Sequence, residues 1–156
     1  MTDTSIQELQ QMPVFGGLSA STLGTLLSHA EVVPCAPGNA YFRQGEEGDS
    51  LFVLLHGRAA AVLQTAKLSY TLRPIDVGDS FGEAAAIDLQ PRSNTVVAHE
   101  PCLAMEIGPD VMQRVWQQDL EQITLLHMNI GRELSRRLRD SDNYRLEHWH
   151  ALRCPQ

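Results

Sequence analysis

Residues 31–107 are divided into short apolar runs by closely spaced turn residues. The runs are two to five residues long and rich in Val, Leu and Ala, and Pro, Gly, Asn or Asp separate most of them. Segments this short are typical of strands, and frequent turns join neighbouring strands in antiparallel order. The pattern predicts an antiparallel roll or sandwich. Its expected strands are Val32-Val33, Tyr41-Phe42 and residues 51–55, 59–63, 68–72, 95–98 and 103–107.

Helical periodicity replaces this pattern before the predicted strands. Ser5, with Glu8 three residues later, has the form of a capping box and predicts a short helix. A second helix is expected to begin at Ser19 or Ser21, because the apolar residues that follow recur on one helical face. We therefore place N-terminal helices within residues 1–30. The apolar face is formed by Leu23, Leu26, Leu27 and Ala30.

Residues 109–150 are also predicted to be helical. Pro109 suits the first position of a helix, because its missing N–H costs nothing there. Asp119 has a Gln three residues later, another capping-box form, and it opens one long amphipathic helix. A helix over residues 119–149 is longer than one small roll can cover, so we expect a homodimer through it. The stripe of the first helix is Val111, Met112, Val115 and Trp116, and that of the second is Ile123, Leu126, Ile130, Leu134 and Leu138.

The composition suits one domain over residues 1–156, with 43% hydrophobic residues to form its core. The first residues lack a basic start and an apolar run, and no stretch approaches the roughly 20 apolar residues of a membrane span. We expect a cytoplasmic protein that does not insert into a membrane. Cys35, Cys102 and Cys154 are far apart along the chain, so neither a disulfide framework nor a Cys-x-x-Cys metal clip is expected. No metal site and no cofactor are predicted.

The net charge of −7 repels a polyanion over most of the surface, so nucleic acid is not expected as a partner. Basic residues are nevertheless concentrated near the C-terminus, where four acidic residues are interleaved with them. We interpret this segment as a solvated helix face with ion pairs. Its arginines are Arg132, Arg136, Arg137, Arg139, Arg145 and Arg153, and its acids are Glu133, Asp140, Asp142 and Glu147.

Residues 78–98 carry the residue types that a phosphate site requires. Gly82 lets the backbone approach a ligand, and the small run Ala84-Ala85-Ala86 can open a short helix whose free N–H groups favour an anion. Arg92 presents a planar fork of donors that matches two phosphate oxygens. Glu83 has the opposite sign, so we expect it to accept a hydrogen bond from a ribose hydroxyl.

The order Phe-Gly-Glu, a small apolar stretch, Arg-Ser and a Val-x-Ala ending resembles the phosphate-binding cassette of the cyclic nucleotide-binding domain family. The resemblance covers roughly residues 12–140 and includes Gly45-Glu46 and the segment 51–57. It implies an α+β fold in which helices flank an eight-stranded antiparallel β-roll at residues 31–108, with the cassette at 78–98. It also implies that sugar and phosphate are held by Gly82, Glu83, Ala84, Ala85, Arg92 and Ser93.

Two residues depart from the usual family pattern and bear on base preference and affinity. Ala84 stands where Leu or Ile is common, and Asn94 stands where Ala is common. Residues 134–138 are similar to the long helix of catabolite-activator-type members, in which polar residues about one turn later reach the base. Ser141 and Asp142 stand at those positions, and an acceptor such as Asp142 suits the exocyclic amine of adenine. We therefore expect cAMP in preference to cGMP, with Asn94, Ser141 and Asp142 as possible base contacts.

The resulting interpretation is a non-catalytic sensor that signals through its C-terminal helix to an unidentified downstream protein. Two alternatives stay open: a ligand-free interaction module of the same fold, and the regulatory part of a transcription factor of this superfamily. A DNA-reading helix-turn-helix is not expected, because only residues 151–156 follow His150. The run Gly48-Asp49-Ser50-Leu51 matches the nucleophile motif of a class of serine esterases, but the chain has no Asp-x-x-His to supply the base. We predict no catalytic residues.

Overall fold

The computed structural model describes residues 4–153 of the chain, with side chains described for residues 4–149. Within them, eight strands form two four-stranded antiparallel sheets, and the α+β prediction is confirmed. Cys154 and the side chain of Arg153 lie outside the described residues. The strands are β1 (Glu31–Cys35), β2 (Ala40–Phe42), β3 (Leu51–His56), β4 (Ala59–Gln64), β5 (Ser69–Ile75), β6 (Ser80–Phe81), β7 (Thr95–Ala98) and β8 (Cys102–Ile107).

The two sheets pack face to face and form the roll. One sheet has the strand order β1-β8-β3-β6 and the other has the order β2-β7-β4-β5. Seven of these strands coincide with the predicted runs to within a few residues. The two-residue strand β6 was not predicted, because Ser80-Phe81 contains a single apolar residue and so forms no apolar run.

Five α-helices and one 3₁₀ helix are found among the described residues. The predicted capping box at the first helix is present: the backbone N–H of Glu8 donates to Ser5 Oγ at 3.2 Å, and the backbone N–H of Ser5 donates to the Glu8 carboxylate at 2.7 Å. Ser19 caps the second helix. The helices are α1 (Ile6–Gln10), the 3₁₀ helix (Pro13–Phe15), α2 (Ala20–His29), α3 (Glu83–Asp88), α4 (Pro109–Gln118) and α5 (Leu120–Arg153).

Asp119 separates α4 from α5, and only half of the predicted capping box forms there. Its carboxylate accepts hydrogen bonds from the backbone N–H groups of Glu121, at 2.9 Å, and Gln122, at 3.2 Å. The Gln122 side chain does not reach back; its amide oxygen accepts from the backbone N–H of Ser19 at 2.7 Å. The start of α5 is therefore tied to the cap of α2.

Strand β3 separates two hydrophobic cores, because its side chains alternate between the faces of the sheet. Leu51 and Val53 pack with the N-terminal helices, α4 and the first half of α5. Phe52 and Leu54 pack between the two sheets with the aromatic ring of Phe81. This double burial explains why β3 is a continuous apolar run in the sequence.

The long helix α5 leaves the roll part way along its length. The predicted stripe is buried at Ile123, Leu126 and Ile130, becomes partly buried at Leu134 and is exposed at Leu138. Asn129, beside this stripe, was not predicted to be structural. It is buried, and its amide donates to the backbone carbonyls of Val14, at 3.1 Å, and Gly16, at 2.8 Å.

Trp116 was predicted to lie in the apolar stripe of α4, and this is wrong. Val111 and Val115 are buried and Met112 packs against the same core, but Trp116 is exposed. A helix turns by about 100° per residue, so the residue after Val115 projects away from the buried face.

Cys35 and Cys102, distant along the chain, are opposite each other in the register of β1 and β8. Both are free thiols and both are buried, and burial raises their pKa values. The sequence spacing did not predict this proximity, because it depends on strand pairing. None of the helices within residues 4–153 is both long and apolar enough to cross a membrane.

Candidate ligand-binding site

A cavity of about 770 Å³ lies between α3, the β4–β5 hairpin and α5. The roll contributes the six residues predicted for sugar and phosphate together with Asn94, and α5 contributes Ser141. The structure therefore brings eight of the nine predicted site residues to one cavity. The remaining wall residues are Ala61, Tyr70, Leu72, Arg73, Phe81, Leu134, Arg137, Asp140, Tyr144 and Arg145.

Gly82 forms the turn that begins α3. Its φ of +76° lies in the left-handed region, which favours glycine. A Cβ at this position would lie 2.7 Å from Arg92 Nη1 and 3.1 Å from Phe42 Cε1. Ala84 and Ala85 follow on the cavity wall, so only methyl groups stand beside the free backbone N–H groups of the first helical turn.

Arg92 is held firmly beside this turn. The residue is 5% exposed, and Nη1 donates to the backbone carbonyls of Ser50, at 2.7 Å, and Gly82, at 2.9 Å. The guanidinium carbon lies 4.3 Å from the centre of the Phe42 ring, within the range of a cation–π contact. Among residues 4–149, Arg92 Nε has no hydrogen-bond partner although it is buried.

The electrostatic surroundings of Arg92 are mixed. Burial lowers the pKa of its guanidinium from the ordinary value, and nearby carboxylates oppose this shift. Even so, an arginine keeps its proton in proteins. The site therefore contains a buried positive charge with an unused donor. The opposing carboxylates are, in order of effect, Glu106, Asp49, Glu46 and Glu83.

The backbone of Arg92 is fixed by the turn between β2 and β3. Gly45 donates its N–H to the Arg92 carbonyl at 2.8 Å, and Arg92 donates its own N–H to the Glu46 carbonyl at 2.8 Å. This pair of bonds accounts for the Gly45-Glu46 feature of the resemblance. The next residues, Ser93 and Asn94, are joined by a hydrogen bond from the Asn94 amide to Ser93 Oγ at 3.2 Å, and both line the cavity.

Glu83 is buried at the cavity wall, where it is 4% exposed. One of its carboxylate oxygens forms an ion pair with Arg137 of α5. Arg137 also donates to the Ser80 carbonyl at 2.7 Å and to Ser80 Oγ at 3.2 Å. The other carboxylate oxygen, Glu83 Oε2, has no partner among the described residues. An unused buried acceptor therefore accompanies the unused donor of Arg92.

The assignment of Arg137 to a solvated helix face is wrong. Arg136 does pair on the surface with Glu133, as predicted, but Arg137 lies inside the cavity wall. The helical spacing carries the signal that could have identified it. Starting from the partly buried Leu134, cavity residues recur after three, four and three positions, at Arg137, Ser141 and Tyr144.

Asp142 is the predicted site residue that the structure does not bring to the cavity. Its side chain is 62% exposed, and its nearest charged partner is Arg145, at 3.9 Å. One residue along a helix corresponds to about 100°, and Asp142 is turned from Ser141 in the direction away from the cavity residues Arg137 and Asp140. Asp140, which was predicted to be a solvated surface acid, is exposed and also lines the cavity.

The β4–β5 hairpin supplies residues that the sequence did not indicate. The hydroxyl groups of Tyr70 and Tyr144 are hydrogen-bonded at 2.8 Å, which joins β5 to α5. Arg73 donates to the Ser80 carbonyl at 2.9 Å, the same oxygen that Arg137 contacts. Burial lowers the pKa of Arg73, and the neighbouring charge of Arg137 adds to this effect. These contacts depend on tertiary structure and have no local sequence signature.

Ser50, the candidate nucleophile of the esterase motif, is buried and donates its hydroxyl to Glu106 at 2.5 Å. Its backbone carbonyl accepts from Arg92. The motif therefore has a structural role here, in the support of Arg92.

The chain is similar to known proteins in sequence and in fold. A family model described as "Cyclic nucleotide-binding domain" matches residues 32–119. The chain is 31% identical over 109 residues to the cGMP-dependent protein kinase of Eimeria tenella, covering 70% of this chain and 10% of that protein. It is 30% identical over 102 residues to the cAMP-dependent protein kinase regulatory subunit of Yarrowia lipolytica, covering 65% and 26%. The chain thus spans about a tenth to a quarter of the length of these relatives.

A solved structure has the same fold. The chain is similar to a cyclic nucleotide-binding domain from Methylobacillus flagellatus, with a TM-score of 0.80 and 21% sequence identity. The match covers 92% of this chain and 81% of that one. At this level of identity the likeness concerns the fold, and the match confirms the predicted β-roll with flanking helices.

The contact between Gly82 and Arg92 can be tested by Gly82→Ala. A side chain in the left-handed region costs about 1–2 kcal/mol in backbone strain. We expect Gly82→Ala to lower the free energy of unfolding by more than this, because the new methyl group must also displace Arg92. Gly38→Ala is the matched control: its φ is +82°, and a Cβ there meets nothing within 4 Å. Urea denaturation of both variants compares the two costs. Equal losses would contradict the close approach of Gly82 to Arg92.

Proposed function

Because this chain belongs to the cyclic nucleotide-binding domain family, we propose that it is a sensor that binds cAMP in the cavity between α3 and α5. The fold is that of a regulatory, non-catalytic domain. The observation that carries the proposal is that Arg92 and Glu83 line the same cavity, and each has one buried polar atom without a partner among the described residues. We further propose that residues 1–156 act as one ligand-binding domain.

The phosphate end of the ligand is assigned to the turn at Gly82. An unpaired buried donor is costly, and an anionic oxygen near Arg92 Nε would satisfy it with a charge-assisted hydrogen bond. The free N–H groups beside Ala84 and Ala85 support the same negative charge. Ser93, exposed at the cavity edge, adds a hydroxyl donor.

The ribose is assigned to Glu83. Its free oxygen can accept a hydrogen bond from a sugar hydroxyl, while its other oxygen stays paired with Arg137. A ligand bound there changes the electrostatic environment of a residue on α5. A ligand can shift the position of a helix only if its contacts are more favourable in one helix position than in the other. Arg137 therefore couples occupancy of the cavity to α5.

The base is assigned to the α5 side of the cavity. Ser141 and Asp140 line it there, and a carboxylate suits the exocyclic amine of adenine, whereas guanine presents a carbonyl at the corresponding edge. We thus assign to Asp140 the contact with the base that was predicted for Asp142. Asn94 lies on the cassette side of the same space. The similar proteins include kinases named for cGMP as well as for cAMP, so both ligands belong in every test.

We propose self-association through helix 119–149. Beyond Ile130 the apolar stripe of the helix emerges from the roll, and Leu138 and Leu146 are exposed along it. A second copy of the helix would cover such side chains. Neither nucleic acid nor a membrane is proposed as a partner. The downstream protein stays unidentified.

Substitution of Arg92 tests the ligand site directly. Removal of one partner of a buried charge contact costs on the order of 2–5 kcal/mol, so Arg92→Ala should weaken cAMP binding at least about 30-fold in calorimetry. Arg92→Lys keeps the charge but loses the planar fork, and should also bind weakly. The control is Arg58→Ala, because Arg58 is exposed and its side chain pairs with Glu100, at 3.5 Å, on the surface.

Thermal denaturation establishes that each Arg92 variant is folded before affinity is compared. Affinity within twofold of the parent protein in a folded Arg92 variant would exclude the assignment. An absence of heat with both cAMP and cGMP in the parent protein would favour the ligand-free interaction module.

A matched pair of substitutions on α5 tests the base assignment. Asp140→Asn should weaken cAMP binding three- to tenfold, about 1 kcal/mol, and leave cGMP binding within twofold, because the lost acceptor serves only adenine. Asp142→Asn makes the same change in charge two residues away, outside the cavity, and should leave both affinities unchanged. A larger effect at Asp142 would reinstate the residue that the sequence predicted.

Light scattering tests self-association. The parent protein should have twice the monomer mass at high concentration, and Leu138→Glu should shift it to the monomer by placing a charge in the helix contact. Val77→Glu is the control, since Val77 is an exposed apolar residue in the turn before β6. A monomeric parent protein at high concentration would rule the dimer out.

A further inference from the structure

A second, apolar cavity of about 330 Å³ is lined by the second half of α3, whereas the first half of α3 lines the ligand cavity. We call it the α3 groove. Its floor contains residues of the main core, and α3 and α4 form its rims. The residues that matter here are Leu51, Ile87, Leu89, Ile107, Met112 and Trp116.

Large apolar side chains are exposed around this groove. Ile87 and Trp116 are more than half exposed, and Leu89 is 75% exposed. Single exposed apolar residues need no explanation, but several of them around one apolar concavity mark an interaction surface. In the part of the chain that the structure describes, no other residue fills the groove.

The backbone at Leu89 strengthens this inference. Leu89 caps the C-terminal end of α3 with a φ of +55°, and within residues 4–153 it is the only non-glycine residue with positive φ. A left-handed cap favours glycine or asparagine, because other residues are strained there. The fold gains little burial from a side chain so exposed. Strain of this kind is typical of functional positions, and here it holds Leu89 at the rim of the groove.

The groove fits a helix better than an extended peptide. The strands that reach its floor, β3 and β8, are each paired on both sides within their sheet. Neither strand is at the edge of its sheet, where an added strand would pair. A chain that enters an apolar groove without such partners must satisfy its own backbone hydrogen bonds, as a helix does.

The charge around the groove selects the chemistry of this helix. Asp49 lines the groove, Asp88 lies between the two α3 rim residues, and Asp110 stands in the first turn of α4. No Lys or Arg side chain is found in the described lining, and α4 carries a single arginine, Arg114. Acidic margins around an apolar floor suit a ligand that is apolar on one face and basic on the other.

We propose that the α3 groove is a docking site for a basic amphipathic helix of a partner protein. Leu89 and Ile87 contact its apolar face. Because Ala84 and Ala85 of α3 line the ligand cavity while Ala86 and Ile87 line the groove, the helix and the cyclic nucleotide share one structural wall. Occupancy of either site therefore alters affinity at the other, and the coupling is reciprocal. This coupling rests on the proposed function, but the docking itself does not.

The test uses the full chain and a defined probe. The probe is a fluorescein-labelled 14-residue peptide made of two copies of the sequence Leu-Lys-Lys-Leu-Leu-Lys-Leu. Fluorescence anisotropy gives its Kd, and the same peptide with Glu in place of every Lys is the charge control. We expect saturable binding of the Lys peptide and at least tenfold weaker binding of the Glu peptide. In ¹⁵N NMR spectra, the Lys peptide should shift amide signals of α3 and α4.

Two matched substitutions locate the contact. Leu89→Ser should raise the Kd of the Lys peptide at least fivefold. Leu68→Ser removes an equally exposed leucine (74% against 75%) from the β4–β5 hairpin and should leave the Kd within twofold. Both variants keep the net charge of the parent protein, so nonspecific attraction to an acidic protein is the same. Leu89→Gly relieves the strained φ and should also lose binding without loss of stability.

The outcomes separate the two proposals. Equal weakening by Leu89→Ser and Leu68→Ser, equal affinity for the two peptides, or no saturable binding up to about 1 mM would overturn the docking site. If docking is found, saturating cAMP should change the Kd of the peptide at least threefold in the parent protein and not in Arg92→Ala. An unchanged Kd in a parent protein that binds cAMP would overturn the coupling. A parent protein that binds the peptide but not cAMP would refute only the proposed sensor function.

Discussion

A single buried guanidinium organises the binding region of this protein. Arg92 joins the beginning of β3, through the Ser50 carbonyl, to the turn before α3, through the Gly82 carbonyl. Its backbone is bonded in both directions to the turn at Gly45 and Glu46. Arg92 therefore helps to fix the position of α3, which lies between the ligand cavity and the α3 groove. The absence of a side chain at Gly82 allows this arrangement, because a methyl group there would occupy the place of the guanidinium.

Much of the fold could be predicted from the sequence, because its signals are local. Strand runs, the Ser5 and Ser19 caps and the turn at Gly82 each depend on neighbouring residues. The cassette side of the cavity was predictable for the same reason. The place of Arg137 at the cavity, the contact of α5 with Tyr70 and the exposure of Asp142 all depend on which face of α5 meets the roll. A stripe of five apolar residues defines that face only to within about 100°.

The cavity joins parts of the chain that have different support. The wall formed by residues 82–94 belongs to the roll, whose strands are hydrogen-bonded to their neighbours within each of the two sheets. The α5 wall of the cavity is attached by the ion pair between Glu83 and Arg137 and by the bond between Tyr70 and Tyr144. These polar contacts are open to competition from the polar groups of a ligand, whereas the apolar packing of β3 is not.

The amide of Asn129 has a mechanical consequence for the long helix. It fastens α5 to the carbonyls of Val14 and Gly16, and Gly131, a weak helix former, follows two residues later. Up to this point the helix is embedded, and beyond it the stripe emerges from the roll. Asn129 is thus the fulcrum of a lever whose outer arm, residues 131–149, is about 27 Å long and is attached to the roll by the polar contacts of Arg137 and Tyr144. A tilt of about 10° at the fulcrum displaces the far end by about 5 Å, so a small rearrangement at the cavity is amplified over the length of this arm.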